Sequence, residues 1–487
     1  GEVSAAAEAA RERGMPGRYL ITLVLPTSHP YLATLTNRGV RERLLHASRS
    51  RGIRGGQYDN RSLVVQITRL RAERARLLGF HSHAAFVTAD ETARTPEAVS
   101  ALLDRLAPAA ARNARAEQQA LQRLIDDSGA GFTLQAWDWA YYTEQVRRAD
   151  FDVDTAAMRP YFELDRVLHD GVFFAAAKLY GVSFTERPDL HASHPEARVF
   201  EVTDSDGSPV GLYLADFYTR DSKRGGAWMN ALVSQSALLG SPTVVCNNLN
   251  VARPAPGEPT LLSYDEVSTL FHEFGHALHG LFATVRYPKF AGTNVFRDFV
   301  EFPSQVNEMW MLWPAVLQNF ARHYQTGEPL PQSLVDRVQA SGTFNEGFLT
   351  SEYLAAAVLD QAWHRIDADT EVADVAAFEA AALTAAGLDN PVVPPRYSST
   401  YFAHTFAGGY DAGYYSYIWS EVLDADTVDW FGENGGLTRA NGDRFRSLLL
   451  GVGGSKDPLA AYRDFRGRDA LITPLLTRRA LADPVQP

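Results

Sequence analysis

Apolar residues recur every three or four positions along most of the chain, a period typical of helices that bury one face. The pattern predicts helices before and after a central section in which apolar and polar residues alternate instead. The sequence contains no internal repeat, no low-complexity tract and no obvious flexible linker. The predicted helices are Glu2–Arg13, Tyr31–Arg49, Asn60–Leu78, Pro96–Asp127 (with an interruption or bend near Pro108), Asp138–Ala149, Ala156–Tyr180, Tyr264–Thr284, Asp298–Tyr324, Pro331–Ala340, Glu346–Asp367, Ala376–Ala386, Tyr414–Asp424 and Arg439–Leu450.

Alternating runs in the central section predict a small sheet. Arg198–Thr203 and Val210–Tyr218 flank the turn sequence DSDG, which predicts a hairpin. Trp228–Ser234 and Thr243–Leu249 are two further candidate strands. One more β-prone run, Tyr19–Leu25, lies near the start of the chain. These strands are few and short, so the sheet is expected to be a minor part of the fold.

The order of these elements predicts a mainly α-helical fold with two lobes. Residues 1–180 form a helical segment of one lobe, and residues 181–487 contain the sheet and the later helices. Because no linker separates the two regions, we expect them to interleave around a deep cleft. An edge of the small sheet would lie beside this cleft, where an extended peptide backbone could pair with it.

Composition and charge narrow the possible functions. Apolar residues make up 46% of the 487 residues and charged residues 21%, as in ordinary globular proteins. The net charge of −12 argues against nucleic acid as a partner, because phosphate binding depends on Lys and Arg. The single cysteine, Cys246, cannot form an internal disulfide, which fits a reducing, cytoplasmic compartment. Gly1–Gly14 lacks the apolar stretch of a signal peptide, and no apolar run reaches membrane-spanning length, so no membrane association is expected.

The stretch Phe271–Gly280, FHEFGHALHG, contains the pattern H-E-x-x-H. On a helix, His272 and His276 lie on one face and can bind one metal ion. Glu273 lies roughly 100° further round the helix, close enough to act as a base on a water molecule without binding the ion. Ser263, with a glutamate three residues later, predicts a capping box at the start of this helix.

A zinc site of this type needs a third protein ligand. His279 lies on the same face, but the rise of the helix separates it from His272 by about 10.5 Å, too far for one ion, so a packing or supporting role is expected. Glu301 lies twenty-five residues beyond His276 among apolar residues. Glu301 is the better candidate for the third ligand. Its apolar neighbours predict that the side chain is buried, and a buried carboxylate without a partner is energetically costly, so a metal ion is expected to pair with it. Glu308, two turns further along, could hold one of the ligands by a hydrogen bond.

Several other stretches of the chain are equally distinctive. Together with the H-E-x-x-H pattern they resemble the thimet oligopeptidase family of zinc metallopeptidases, and within it the peptidyl-dipeptidase branch. The resemblance extends over nearly the whole chain, although family members usually carry a further helical segment before the region that matches Gly1. The stretches that carry the resemblance are Arg220–Trp228, Phe271–Gly280, Gly292–Gln305, Pro394–Tyr397, Tyr401–His404 and Gly408–Tyr417.

The resemblance implies a role for each residue that matches the metal motifs. His272, His276 and Glu301 would bind one Zn²⁺ ion, and Glu273 would be the general base. Other divalent metals such as cobalt or manganese could substitute for zinc in a site of this ligand type.

The resemblance also implies roles for residues of the tyrosine-rich stretch, His404–Tyr417. His404 would hydrogen-bond to the substrate, and Tyr410 and Tyr417 would donate hydrogen bonds to the carbonyl oxygen under attack. Tyr414 would join them in substrate binding. The spacing of Tyr410, Tyr414 and Tyr417 predicts that the three share one helical face. Neighbouring glycines leave room for a substrate to approach.

A gluzincin metallopeptidase that releases C-terminal dipeptides from short, unstructured peptides is the activity that the resemblance implies. This specificity requires a donor for the terminal carboxylate, for which Arg396 and Arg297 are the candidates. The enzyme is expected to be a monomer. An endo-acting oligopeptidase of the same family and a catalytically silent peptide-binding protein are the alternatives.

Overall fold

The structure, a computed structural model, describes residues 6–7, 10–21, 23, 30–150, 155–220, 222–254 and 257–482. The predicted helix Glu2–Arg13 and the β-prone run Tyr19–Leu25 lie partly outside these residues. The α-helices are α1 (Arg38–Arg49), α2 (Arg61–Leu77), α3 (His83–Thr88), α4 (Pro96–Asp127), α5 (Ala136–Asp150), α6 (Leu164–Arg166), α7 (Phe174–Tyr180), α8 (Tyr264–Leu281), α9 (Arg297–Val300), α10 (Phe302–Glu308), α11 (Pro314–Phe320), α12 (Gln332–Ala340), α13 (Glu346–Arg365), α14 (Val375–Ala385), α15 (Ala403–Ala407), α16 (Ser416–Glu433), α17 (Arg439–Phe445), α18 (Pro458–Arg466) and α19 (Thr473–Arg478). The strands are β1 (Ser183–Glu186), β2 (Arg198–Thr203), β3 (Pro209–Tyr218), β4 (Trp228–Val233) and β5 (Thr243–Val251).

The predicted mainly helical fold with a small sheet is confirmed by these elements. Helix α4 begins where the sequence indicates, with Thr95 as its N-cap and Pro96 in its first turn. The predicted interruption near Pro108 is wrong, because α4 continues through this residue. Proline removes only one helical hydrogen bond, and the buried face of α4 packs along α13 on both sides of it. The division between residues 180 and 181 stays a prediction.

Two of the long predicted helices are shorter in the structure. The range Asp298–Tyr324 divides into α9, α10, a 3-10 turn at Met309–Leu312, and α11. Pro303 and Pro314 each lie in the first turn of a new helix, where a proline is favoured, and each disfavours helix in the residue before it. The range Ala156–Tyr180 likewise divides, into a 3-10 turn, the short helix α6, a π-helical turn and α7.

The five described strands form one sheet in the order β1-β2-β3-β5-β4. The predicted hairpin is β2 and β3, which pair antiparallel, whereas β3 and β5 pair parallel. Strand β1 was not predicted, because its four residues are too short to show a clear alternation. Strand β4 lies at the edge of the sheet and pairs only with β5 among the described strands. Its outward edge is therefore available for a further strand.

Helix α8 lies in the centre of the main hydrophobic core. One side packs on β5, β4 and β3, and the other packs on α10. The contact with α10 is close because residue 275 is glycine: a Cβ there would lie 2.7 Å from Cα of Ser304. Helices α2, α3 and α4 pack on α13 in a second core, and α16 connects this region to α9 and α10. None of the described helices has the length and apolar character needed to cross a membrane.

Candidate metal centre

Helix α8 presents His272 and His276 from a rigid support. Ser263 caps the helix: its hydroxyl accepts from the backbone N–H of Glu266, and the Glu266 carboxylate accepts from the backbone N–H of Ser263. This is the predicted capping box. The buried face includes Phe274, whose ring packs edge-on against Tyr213 of the sheet with centroids 5.2 Å apart. The opposite face carries His272 and turns towards the break between α9 and α10.

Glu301 lies at this break, as the residue between the end of α9 and the start of α10. Its Oε2 lies 3.2 Å from Nε2 of His272 and 3.2 Å from Nε2 of His276. One ligand atom from each of the three side chains lies within 4.8 Å of the other two, and no other such group occurs among the residues that the structure describes. The structure thus brings together the three predicted ligands.

The electrostatics of the group are those of a compact charged cluster. Burial opposes ionisation of Glu301, but His276 and His272 hold its pKa well below the usual value. Burial lowers the pKa of His272, yet Glu301 and Glu308 raise it well above the usual value. Two imidazole nitrogens and one carboxylate oxygen are the donor set that zinc prefers in sites with an open position. The residues present therefore fit one divalent ion of this kind.

Glu273 lies beside the cluster on the same helix and is 5% exposed. Its Oε2 is buried and has no hydrogen-bond partner among the described residues. Burial raises the pKa of Glu273, while His276 and His272 oppose this effect. Its backbone carbonyl accepts a 2.7 Å hydrogen bond from Asn247 of β5, which joins this turn of the helix to the sheet. A buried carboxylate with a free oxygen can accept a proton at the edge of the cluster.

The two predicted histidine ligands differ in the contacts of their Nδ1 atoms. Nδ1 of His272 lies 2.7 Å from Oε1 of Glu308, the supporting contact expected from the sequence. Ser268 in turn contacts the other Glu308 oxygen at 3.3 Å. Nδ1 of His276, by contrast, has no partner in the described part of the chain. Among the described residues, a carboxylate therefore contacts Nδ1 of His272 but not Nδ1 of His276.

His279 lies outside the cluster, as the length of the helix requires. Its side chain is fully buried, and neither ring nitrogen has a hydrogen-bond partner among the residues that the structure describes. Burial lowers the pKa of His279 to about 3, with a smaller contribution from His276. The side chain therefore packs as a neutral ring.

The tyrosine-rich stretch reaches the cluster from the opposite side. The Tyr410 hydroxyl donates a 2.9 Å hydrogen bond to Oε1 of Glu301, and the rings of Tyr410 and Tyr417 stack with centroids 5.3 Å apart. The ring of Tyr414 lies 5.4 Å from that of Tyr417. Burial, with Glu301 as the next cause, raises the pKa of Tyr410 to about 12, so its hydroxyl remains a donor at neutral pH. The predicted shared helical face is wrong, because helix α16 begins only at Ser416 and both Tyr410 and Tyr414 precede it.

Two cavities meet at this stretch. A cavity of about 640 Å³ contains the metal cluster, Arg297 and the edge strand β4, and a second of about 780 Å³ contains Arg396 and Tyr414. His404 and Tyr417 line both cavities, so the two spaces adjoin at these side chains. The two candidate arginines therefore lie in different cavities. Burial lowers the pKa of His404, and the nearby Arg396 lowers it further.

Residues from distant parts of the chain support the site and were not predicted. Asp298 accepts backbone N–H groups of Thr92 and Ala93 at 2.9 Å and the Tyr415 hydroxyl at 3.0 Å. Asp298 lies within Gly292–Gln305, one of the stretches that carry the family resemblance, but the sequence did not predict the hydrogen-bond partners of Asp298. Asp360 accepts two backbone N–H groups of the tyrosine-rich stretch and lies in a helix whose sequence carries no signal for this role.

Comparison with known proteins adds independent findings. The model of peptidase family M3 matches residues 31–481. The chain is 47% identical over 480 residues to dipeptidyl carboxypeptidase of Escherichia coli, covering 99% of this chain and 70% of that protein. It is 35% identical to oligopeptidase A of the same organism, covering 97% of this chain and 70% of the relative. The solved structure of PZ peptidase A with an inhibitor has a TM-score of 0.55 at 12% identity, covering 98% of this chain and 73% of that one, and shows a similar fold.

Proposed function

The chain belongs to peptidase family M3 and is a metallopeptidase, and on this basis we propose that it is a zinc-dependent peptidyl-dipeptidase. It releases C-terminal dipeptides from short, unstructured peptides. The observation that carries the proposal is the convergence of His272, His276 and Glu301. Beside them lies the buried Glu273, whose Oε2 has no hydrogen-bond partner among the described residues. The 47% identity to a dipeptidyl carboxypeptidase supports the exo-acting form.

His272, His276 and Glu301 hold one zinc ion in this proposal, and Glu308 keeps the His272 ring in place. When bound, zinc lowers the pKa of a water molecule and polarises the carbonyl of the scissile bond. Glu273 takes a proton from the attacking water at its free oxygen and returns it to the leaving amine. Burial raises the pKa of Glu273, which makes its carboxylate a stronger proton acceptor than an exposed glutamate.

Tyrosine hydroxyls stabilise the developing negative charge. Tyr417 lies between the two cavities, and Tyr410 stacks on it, so both can turn a hydroxyl towards the carbonyl oxygen. Buried donors of this kind act strongly, because water does not compete with them. His404, at the same junction, hydrogen-bonds to the peptide backbone. The exposed edge of β4 lines the metal cavity and pairs with the extended substrate.

Arg396 is the proposed anchor for the substrate's terminal carboxylate. Its Nε has no hydrogen-bond partner among the described residues, although the side chain is largely buried and lines the second cavity beside Tyr414. The other two arginines of that cavity are already paired: Arg478 with Asp424, and Arg479 with Glu421. Arg396 thus offers a cation across the His404–Tyr417 junction, where two residues of an extended peptide span roughly 7 Å.

Product mapping tests this function directly. An unblocked peptide of about ten residues is incubated with the zinc-loaded protein, and mass spectrometry follows the products over time. Successive losses of two residues from the C terminus are expected, and amidation of that terminus should abolish cleavage. Glu273→Gln should retain zinc but lose activity by about 10²- to 10⁴-fold. Internal cleavage that is indifferent to amidation would instead establish the endo-acting alternative, which the oligopeptidase A relative makes the second candidate.

Variants of the two candidate arginines locate the anchor. Arg396→Ala should lower kcat/KM for the free-acid peptide by about 10- to 100-fold, because a hydrogen bond to a charged group is worth about 1.5–3 kcal/mol. Arg297→Ala is the matched comparison, since its guanidinium lies in the metal cavity, 4.5 Å from the Tyr410 ring centroid. A larger loss in Arg297→Ala than in Arg396→Ala would reverse the assignment.

The proposal includes a monomeric enzyme in a reducing, cytoplasmic compartment. The single cysteine, which is buried in β5, is compatible with such a compartment. Light scattering coupled to size-exclusion chromatography measures the oligomeric state, and a mass close to 53.7 kDa is expected for the chain.

A further inference from the structure

The tyrosine-rich stretch is held from behind by one carboxylate. Oδ1 of Asp360 accepts the backbone N–H of Ala412 at 3.0 Å, and Oδ2 accepts that of Tyr414 at 2.9 Å. The next residue, Gln361, donates from its side chain to the Ala412 carbonyl at 2.8 Å. Asp360 and Ala412 are both fully buried. Helix α13 therefore forms hydrogen bonds with both N–H and C=O groups of one backbone turn between Tyr410 and Tyr417.

The turn at Ala412 has a backbone conformation that alanine rarely adopts. Ala412 has φ of 57°, in the left-handed region, where the side chain of a non-glycine residue is crowded by its own backbone. Such a conformation persists only when surrounding contacts impose it. The Asp360 and Gln361 hydrogen bonds are the contacts that do so here.

Asp360 is itself oriented by a chain of buried groups. Nδ1 of His364 lies 3.0 Å from Oδ1 of Asp360 and 2.8 Å from its backbone carbonyl. Nε2 of His364 lies 2.9 Å from the guanidinium of Arg71, which must be the donor in that contact. His364 therefore carries its proton on Nδ1 and donates to Asp360. Arg71 also donates to the carbonyl of Thr405, at the other end of the tyrosine-rich stretch.

We infer that Asp360 is a positioning residue for the reaction, which sets the places of Tyr410 and Tyr417 by holding the backbone turn between them. It touches neither metal ligand nor substrate cavity and acts through Ala412 and Tyr414. A shift of the turn would displace the Tyr410 hydroxyl from Glu301 and separate the two stacked rings. This inference rests on the proposed catalytic use of these tyrosines.

Asp360→Asn tests the inference with almost no change of shape. An amide has one oxygen, so one of the two backbone N–H groups would face an NH₂ group instead of an acceptor. The metal-loaded variant should lose about 10- to 100-fold in kcat with KM changed by less than about twofold, the cost of misplacing catalytic groups. Zinc content, measured by atomic absorption, should stay at the wild-type level. If this variant does not fold, Gln361→Met removes the opposite hydrogen bond and should lower kcat in the same way.

A second substitution separates positioning from general stability. Glycine adopts left-handed φ without strain, so Ala412→Gly combined with Asp360→Asn should recover several-fold of the lost kcat. Asp426→Asn is the matched control: this aspartate is equally buried and paired with Tyr462 and Arg468, away from both cavities that meet at Tyr417. It should lower the melting temperature and leave kcat unchanged.

Two results would overturn the inference. One is a folded, metal-loaded Asp360→Asn enzyme with wild-type kcat, and the other is a double variant as slow as the single one. The proposed function fails separately, if the wild-type enzyme does not release dipeptides. An endo-acting enzyme still has a kcat, so the comparison of variants remains decisive in that case.

Discussion

Removal of the Glu308 carboxylate should weaken metal binding while leaving the three ligands in place. The 2.7 Å contact between its Oε1 and Nδ1 of His272 fixes the ring with Nε2 turned towards Glu301, where the proposed ion would bind. Loss of such a supporting carboxylate typically costs about 10- to 100-fold in metal affinity. The Glu308 side chain is 38% exposed, so water partly replaces it, and the lower end of the range applies. We expect about tenfold, or about 1.4 kcal/mol, for Glu308→Ala.

The assay is a zinc titration of the metal-free protein against a chromophoric chelator. Glu308→Gln keeps an acceptor oxygen at the same place and should weaken zinc binding by only about threefold, since the bond is no longer charge-assisted. Asp265→Asn removes a charge from the exposed start of the same helix and should leave the affinity unchanged. At saturating zinc, kcat of Glu308→Ala should return to near the wild-type value, because the ligands themselves are intact.

An unchanged zinc affinity in Glu308→Ala would refute this reasoning. It would mean that packing alone orients His272, as it must for His276, whose Nδ1 has no partner among the described residues. A loss equal to that of Asp265→Asn would point to net charge rather than to ring orientation.

Three further predictions concern the tyrosines and helix α8. Tyr417→Phe should lower kcat by about 10²- to 10³-fold with little effect on KM, and steady-state kinetics with unchanged values would exclude it as an oxyanion donor. Gly275→Ala should destabilise the protein by about 1–3 kcal/mol in urea unfolding, because the new methyl group meets Ser304. His279 binds a proton less readily when folded, so acid lowers stability as pH falls from its unfolded pKa near 6.5 towards about 3; wild type should lose about 2 kcal/mol more than His279→Leu between pH 7 and pH 5, and parallel pH profiles would contradict this.

Helix α8 could be predicted in detail from the sequence alone, because the residues that determine it are close together in the chain. The capping box spans four residues, and the spacing of His272 and His276 places both on one face wherever a helix forms. The rise of the helix alone excluded His279 as a third ligand of the same ion, and in the structure this side chain is buried in the core. Glu301 was found as well, because a carboxylate among apolar residues requires a partner. The sequence did not predict that Glu301 lies at a break between two helices, although Pro303 favours the start of a new helix there.

The shape of the tyrosine-rich stretch depends on contacts that no local pattern records. The spacing of Tyr410, Tyr414 and Tyr417 is that of a helix, yet the chain forms turns there and gathers the same rings by another route. A buried carboxylate more than fifty residues away, Asp360, imposes the left-handed turn at Ala412. Hydrogen bonds between distant residues leave no periodicity in sequence, because each depends on how whole helices pack. Residue identities thus indicated which groups are the candidates for the chemistry, and tertiary packing decided where each one lies.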